Sequence, residues 1–142
     1  MLPLLSTNIS LVFHFILQLL EQTFLKYHRN EIFLSFNGGK DCTVLLDIII
    51  KQLKTNKYGN YDLNCIYVRP SEPFQEIDDF VNECMQHYKI EIRVMQGAIK
   101  DVLERICHEN RKIRACIMGS RKTDPFCENL LSVQVSLLAK IK

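Results

Sequence analysis

Apolar residues along the chain are concentrated in short runs and in longer stretches with helical spacing. The run at residues 32–34 is continuous, which is typical of a strand buried on both faces, and strands are also predicted at residues 63–68, 90–94 and 114–118. Between the runs, apolar residues recur every three or four positions, which predicts amphipathic helices. This alternation predicts an α/β fold: a three-layer sandwich in which a parallel sheet of about four strands carries crossover helices on both faces.

Three crossover helices are predicted between these strands. The first begins near Asp41 or Cys42, and the second has a favourable start in the Ser-Glu-Pro sequence at residues 71–73. The apolar stripes expected to face the sheet are Val44, Leu45, Ile48, Ile49 and Leu53 in the first helix, Phe74, Ile77, Phe80, Val81, Cys84, Met85 and Tyr88 in the second, and Ala98, Val102, Leu103, Ile106 and Cys107 in the third.

An apolar run at residues 9–20 precedes the first strand and predicts a further helix, about Asn8 to Tyr27, packed on the sheet. The run contains His14 and Gln18 and is shorter than the roughly 20 residues that span a bilayer. No positive charge precedes it and no small-x-small cleavage site follows it, which disfavours a signal peptide. We therefore expect a cytoplasmic protein, with contact between this helix and a membrane or partner as the alternative.

The composition limits the classes of protein that fit. A chain of 142 residues is expected to form one domain, and a net charge of +2 with scattered basic residues disfavours a nucleic-acid surface. The six cysteines form no C-x-x-C pair, and no histidine has zinc-ligand spacing, so we expect reduced thiols. The sequence does not indicate an oligomeric state.

A glycine turn separates the first strand from the first crossover helix, in the sequence Ser35-Phe36-Asn37-Gly38-Gly39-Lys40-Asp41-Cys42. Gly38 and Gly39 allow a ligand to approach the main chain, and the N–H groups at the start of the helix attract an anion. Lys40 adds positive charge, so the turn is interpreted as a pyrophosphate-binding loop. The alternative is that Asn37-Gly38 is a hairpin turn, which the helical pattern after it disfavours. The Walker and G-x-G-x-x-G patterns are absent.

A second polar segment follows the fourth strand: Met118-Gly119-Ser120-Arg121-Lys122-Thr123-Asp124-Pro125-Phe126. Arg121 offers a fixed guanidinium, and Asp124 offers a carboxylate for a polar ring edge, a ribose or a metal ion. Taken alone, the segment could be a solvated turn. Because ligands of open α/β sheets bind at the carboxyl ends of strands, we expect both segments to converge there. Tyr67, Val68 and Arg69, at the end of the second strand, are candidates to line an adenine or phosphate position.

The first segment resembles the PP-loop of the adenine nucleotide α-hydrolase superfamily, usually written S-G-G-K-D-S. Phe-Asn before the glycines and Cys after the aspartate narrow the resemblance to the eukaryotic-type FAD synthase family, the PAPS reductase-like FMN adenylyltransferases. The second segment is similar to that family's G-x-R-x-T-D-P-F motif. The resemblance implies that ATP, FMN and Mg²⁺ bind and that AMP is transferred from ATP to the FMN phosphate, giving FAD and pyrophosphate.

The resemblance also implies roles for individual residues. Asn37, Asp41 and Arg121 are the catalytic candidates, and Mg²⁺ is expected to be held through the phosphates, with Asp41 or Asp124 as a candidate protein ligand. The remaining ATP-binding candidates are Ser35, Phe36, Gly38, Gly39, Lys40, Cys42, Tyr67, Val68 and Arg69, and the flavin-binding candidates are Arg121, Thr123, Asp124, Pro125 and Phe126.

The resemblance covers about residues 20–130, with residues 1–30 as an N-terminal helix, 31–128 as the family core and 129–142 as a divergent tail. Members of the family continue through a tryptophan-containing segment and arginine-bearing loops, whereas this chain has no tryptophan. We therefore expect a truncated form, for which ATP binding is better supported than full catalysis. Two alternatives stay open: another PP-loop enzyme, such as a sulfonucleotide reductase or an ATP pyrophosphatase, and a noncatalytic protein that binds ATP or flavin.

Overall fold

The computed structural model describes residues 2–59, 61–120, 128 and 129, and it shows the alternation of strands and helices that the sequence predicts. The helices are α1 (Leu2–Lys26), α2 (Lys40–Leu53), α3 (Gln75–Tyr88) and α4 (Ile99–Glu109), with a short 3₁₀ turn at Asn56–Tyr58. The strands are β1 (Ile32–Phe36), β2 (Cys65–Arg69), β3 (Ile92–Gln96) and β4 (Ala115–Met118).

The described strands form one parallel sheet in the order β3-β2-β1-β4. In this sheet β1 lies between β2 and β4, with Leu34 paired with Cys65 on one side and Ile117 on the other. The connections from β1 to β2 and from β2 to β3 run in one direction across the sheet, and the connection from β3 to β4 runs back past β1. Right-handed crossovers then put α4 on the opposite face from α2 and α3.

Two hydrophobic clusters, one on each face of the sheet, confirm this layering. Leu34 and Phe36 of β1 pack in the cluster that includes buried residues of α1, α2 and α3. Phe33 points to the other face and packs in the cluster that includes Val102 and Ile106 of α4. All five residues of β1 are buried, because the strand is central in the sheet and covered on both faces. The predicted fold class is therefore confirmed.

The N-terminal helix is longer than predicted, since α1 begins at Leu2 and ends at Lys26. Within residues 10–26 of this helix, Leu20 and Phe24 are buried in the core, whereas every side chain from residue 10 to residue 15 is exposed. Among the described residues, no helix is both long enough and apolar enough to cross a membrane.

Four residues that the helical periodicity assigned to the buried stripes are exposed instead: Val44, Phe74, Phe80 and Ala98. Phe74 and Ala98 are the N-cap residues of α3 and α4, so they precede the helices to which they were assigned. Val44 and Phe80 lie on their helices but at the margins of the stripes, where the neighbouring elements do not cover them. The buried residues of α3 are Val81 and Cys84.

Candidate functional site

The candidate site lies at the carboxyl edge of the sheet, beside the neighbouring strands β1 and β4. The chain leaves β1 toward one face and reaches β4 from the other, so this is the point at which the connections change direction. Open α/β sheets bind ligands in the crevice that such a point creates. The glycine turn follows β1 and the segment beginning at Gly119 follows β4, so both predicted segments start at this crevice.

The glycine turn has a backbone conformation that its sequence makes possible. Gly38 has a φ of +77°, in the region that L-residues with a side chain rarely adopt. A Cβ atom at this position would also lie 2.8 Å from Ile77 Cγ2 of α3, which is closer than carbon atoms can approach. Glycine is therefore required both by the bend of the chain and by the close packing of α3 against the turn.

Hydrogen bonds within the turn fix the approach to α2. Asn37 Oδ1 accepts a hydrogen bond of 2.8 Å from the Gly39 N–H, and Thr43 Oγ1 donates one of 2.8 Å to the Gly39 carbonyl. Asn37 therefore shapes the turn with its side-chain oxygen. Its amide nitrogen forms no hydrogen bond with the described residues and is available to donate to a ligand.

The electrostatics at the start of α2 favour an anion. Gly39 is the N-cap residue and supplies no capping side chain, and the first-turn N–H groups of any helix lack acceptors within the helix. Lys40, the first helical residue, is exposed and forms no ion pair within the part of the chain that the structure describes. A cation at the positive end of a helix dipole is unfavourable unless an anion binds there. This end of α2 is thus suited to a phosphate group.

The segment after β4 meets the start of α2 directly. A Cβ atom added at Gly119 would lie 3.1 Å from Cys42 Sγ and 3.2 Å from Cys42 Cα, so a larger residue would require Cys42 to shift. The described start of the second segment therefore lies against the first segment, about 80 residues away in the sequence. The five flavin-binding candidates, Arg121, Thr123, Asp124, Pro125 and Phe126, lie outside the described residues, and their roles stay predictions.

The candidates at the end of β2 make different contacts from those that the sequence suggested. Arg69 donates two hydrogen bonds to the carboxylate of Asp78 in α3, with Nη2 at 2.8 Å from Oδ2 and Nε at 3.1 Å from Oδ1. Tyr67 is buried, and its hydroxyl donates to Asp78 Oδ1 at 3.1 Å. The bond from Arg69 is the main cause that lowers the pKa of Asp78 below its ordinary value of 3.8.

This contact was not foreseen from the sequence. Asp78 lies in the first turn of a helix, where acidic residues are common for electrostatic reasons, so nothing distinguished it from its neighbours. Val68 points to the opposite face, where it packs against the cluster that contains α4 residues. Whether Tyr67, Val68 and Arg69 contact a ligand stays a prediction.

Several other candidates are buried in the protein interior. Ser35 and Phe36 are the last residues of β1 and are buried, and so is Cys42 in the first turn of α2. Any ligand contact by Phe36 would have to come from its backbone, because its side chain is fully buried. The accessible part of the loop consists of Asn37, Gly38, Gly39, Lys40 and Asp41.

The buried thiols are not suited to nucleophilic chemistry. Burial raises the pKa of Cys65 and that of Cys116 to about 12, so both thiols are protonated at neutral pH. The five cysteines among the described residues, Cys42, Cys65, Cys84, Cys107 and Cys116, are free thiols. The described residues also contain no group of three or more His, Cys, Asp or Glu side chains arranged to hold a metal ion.

Comparison with known proteins identifies relatives of the chain. Residues 31–136 match the family model described as the phosphoadenosine phosphosulfate reductase domain. The chain is 33% identical over 126 residues to a probable FAD synthase of Schizosaccharomyces pombe, an alignment that covers 84% of this chain and 47% of the relative.

The chain is also similar to solved structures of an FMN adenylyltransferase. A crystal structure of Candida glabrata FMN adenylyltransferase superposes with a TM-score of 0.74 at 25% identity, covering 87% of this chain and 44% of the other. The same enzyme in complex with FMN and the ATP analogue AMPCPP superposes with a TM-score of 0.71 at 26% identity, covering 84% of this chain and 44% of the other. The chain thus spans less than half the length of these relatives.

Proposed function

Because the chain belongs to the phosphoadenosine phosphosulfate reductase domain family, we propose that it binds ATP at the loop after β1 and transfers AMP to FMN. The proposed activity is that of an FAD synthase, and the proposed setting is the cytoplasm. The named activities of its relatives support the proposal, and so does the complex of the Candida glabrata enzyme with FMN and an ATP analogue.

The observation that carries the proposal is the start of α2. Gly38 bends the turn through a positive φ, Gly39 leaves the helix end without a capping side chain, and Lys40 is an exposed cation that no described residue pairs. A triphosphate would accept hydrogen bonds from the N–H groups of this helix end and pair with Lys40. In the proposed complex, the loop and Lys40 hold the β- and γ-phosphates of ATP.

The proposed reaction needs no nucleophile from the protein. An oxygen of the FMN phosphate attacks the α-phosphorus of ATP, forming a new P–O bond, while the bond from that phosphorus to the bridging oxygen of pyrophosphate breaks. Negative charge accumulates on the leaving pyrophosphate, and Lys40 and the loop would stabilise it. The residues described here would therefore act by positioning substrates and by electrostatic stabilisation. Asn37 and Asp41, with Arg121, are the proposed catalytic group.

Magnesium is part of the proposal as an ion that accompanies the triphosphate. Mg²⁺ is typically held by one or two carboxylates together with substrate phosphates, and a site of this kind needs no preformed cluster of protein ligands. Asp41 lies in the first turn of α2, next to Lys40, and its carboxylate is the described candidate. Bound there, the ion would reduce the charge repulsion between the phosphates and the incoming FMN phosphate.

The proposal is tested first by turnover. Purified protein is incubated with ATP, Mg²⁺ and FMN, FAD is measured by chromatography, and riboflavin replaces FMN in the control. FAD that forms only when FMN is present is the expected result. If the protein binds ATP in calorimetry but forms no FAD, the transferase activity of this chain is rejected and the noncatalytic alternative replaces it.

A matched pair of lysine variants tests the ATP site separately. Lys40 and Lys54 are both exposed and lie at opposite ends of α2, Lys54 being its C-cap residue. We expect Lys40→Ala to weaken ATP binding by roughly tenfold and Lys54→Ala to leave it unchanged, as measured by calorimetry. Equal ATP affinities for the two variants would contradict the placement of the triphosphate at the start of α2.

A further inference from the structure

A cluster of polar side chains lies beside the loop, and it includes Asp78, to which the proposed function gives no role. Asp78 accepts hydrogen bonds from Arg69 and from Tyr67, and together these three residues join the end of β2 to the first turn of α3. We call this group the β2–α3 latch. The side chains of Arg69 and Asp78 are 30% and 18% exposed, so water screens the ion pair only in part.

The latch is coupled to the loop through the residue next to Asp78. Ile77 is the neighbour of Asp78 in α3, and its Cγ2 atom lies where a Cβ atom of Gly38 would be 2.8 Å away. Gly38 is thus in close contact with the first turn of α3. Packed side chains transmit displacements of a few tenths of an ångström. A shift of this turn of α3 would therefore displace the backbone at Gly38.

We propose that Asp78 is a positioning residue, which holds Ile77 against Gly38 through its bonds to Arg69 and Tyr67 and so keeps the loop in its anion-binding conformation. The consequence for ATP binding rests on the function proposed above. Arg69 then neutralises Asp78 through its Nε and Nη2 atoms, and its other N–H groups stay available to a ligand. Tyr67 also helps to hold Asp78 in place, because its hydroxyl donates a hydrogen bond to the carboxylate.

Hydrogen exchange of the protein without ligand tests the latch directly. Asp78→Asn removes the charge at nearly constant volume, and Tyr67→Phe removes only the hydroxyl. Asp79→Asn is the matched control, because Asp79 is the exposed neighbour of Asp78, and its described side-chain bond is to Gln75 of the same helix. We expect amides at residues 38–42 to exchange about tenfold faster in Asp78→Asn, somewhat faster in Tyr67→Phe and unchanged in Asp79→Asn, with the amides of β1 unaffected.

A double-variant cycle tests the route through Ile77. If Asp78 acts on the loop by holding Ile77, the combination of Asp78→Asn with Ile77→Ala should accelerate loop exchange little more than either single change. Additive effects would overturn this route. Unchanged loop exchange in both latch variants would overturn the proposal as a whole, and so would equal acceleration of the loop and of β1, which indicates a general loss of stability.

ATP affinity provides the second readout and separates the two proposals. Asp78→Asn should weaken ATP binding several-fold while Asp79→Asn leaves it unchanged. If the unaltered protein binds no ATP, the proposed function fails, but the exchange measurement without ligand still decides whether the latch orders the loop. If the loop is loosened by Asp78→Asn while ATP affinity stays the same, the positioning role in ATP binding is rejected.

Discussion

Gly38 meets two structural demands at one residue, a positive φ and a contact that leaves no space for a side chain. We predict that Gly38→Ala weakens ATP binding by at least about tenfold, because the loop or α3 must move to accommodate the methyl group. Gly59→Ala is the control, since Gly59 also has a positive φ of +64° but a Cβ there would meet nothing within 4 Å. Thermal unfolding and ATP calorimetry on both variants check the prediction.

The two glycine variants should therefore differ in ATP affinity and not in whether they lose stability. Both lose stability from backbone strain, by about 1–3 kcal/mol, but only Gly38→Ala should lose affinity for ATP. An equal loss of affinity in Gly59→Ala would mean that reduced stability, and not the shape of the loop, explains the effect.

Single residues could be chosen as candidates from the sequence where a local rule applies. Gly38, Gly39 and Lys40 became candidates because the glycines and the lysine lie between a strand pattern and a helix pattern. The bond between Arg69 and Asp78 could not be predicted, because it joins residues on two elements and depends on how α3 lies across β2. The close contact of Ile77 with Gly38 depends on the same tertiary packing.

At the scale of elements, the described side chains of α1 are packed in its later turns and exposed at residues 10–15. Phe24 is 5% exposed in the core and Phe15 is 52% exposed. We predict that Phe24→Ala lowers the free energy of unfolding by about 3–5 kcal/mol and that Phe15→Ala lowers it by less than about 0.5 kcal/mol. Urea unfolding of both variants measures the difference, and a large loss for Phe15→Ala would show that the first half of α1 is buried in solution.

The predicted buried stripe of α3 was wrong at two residues, because it also depends on tertiary packing. Helical periodicity placed Phe74 and Phe80 in the buried stripe, but it does not show where a helix begins or how much of its surface the neighbouring elements cover. The apolar stripe of α3 that packs on the core is formed by Ile77, Val81, Cys84, Met85 and Tyr88. Element types and order were correct because each depends on a pattern that spans a whole strand or helix.

The latch between β2 and α3 predicts a pH dependence of stability. Arg69 and Tyr67 face the carboxylate of Asp78, and the hydrogen bond from Arg69 is the main reason that its pKa lies below 3.8 in the folded protein. A lowered pKa stabilises the fold above the unfolded value of 3.8 and ceases to do so as pH falls through the folded value. We expect the difference in unfolding free energy between the unaltered protein and Asp78→Asn to be constant near neutral pH.

Below pH 4 that difference should shrink, and it should reach its minimum below the lowered pKa of Asp78. Urea unfolding of both proteins between pH 7 and pH 2.5 (roughly the range over which a carboxyl group of this kind titrates) makes the comparison. A difference that grows on acidification would mean that Asp78 is destabilising in its charged form, which contradicts the latch.

At the scale of the whole molecule, the parallel sheet places the starts of both candidate segments at one edge. The glycine turn follows β1, Gly119 follows β4, and Gly119 lies against Cys42 at the start of α2. The amino edge of the sheet instead carries surface ion pairs, such as Arg29 with Asp62 and Arg114 with Glu31, which contribute little to stability. A ligand bound at the start of α2 should therefore order both segments at the carboxyl edge and leave the amino edge unchanged.

We predict that saturating ATP and Mg²⁺ slow amide exchange at residues 38–42 and at residues 119–120 together, because one ligand occupies the crevice that both segments form. Amides at residues 29–31 and 62–64, on the amino side of β1 and β2, serve as the internal control and should not change. If Lys40→Ala abolishes the slowing of amide exchange in both segments, the same bound triphosphate protects both. Protection confined to the glycine turn would mean that ATP does not reach the segment after β4, and the shared crevice would then not be the nucleotide site.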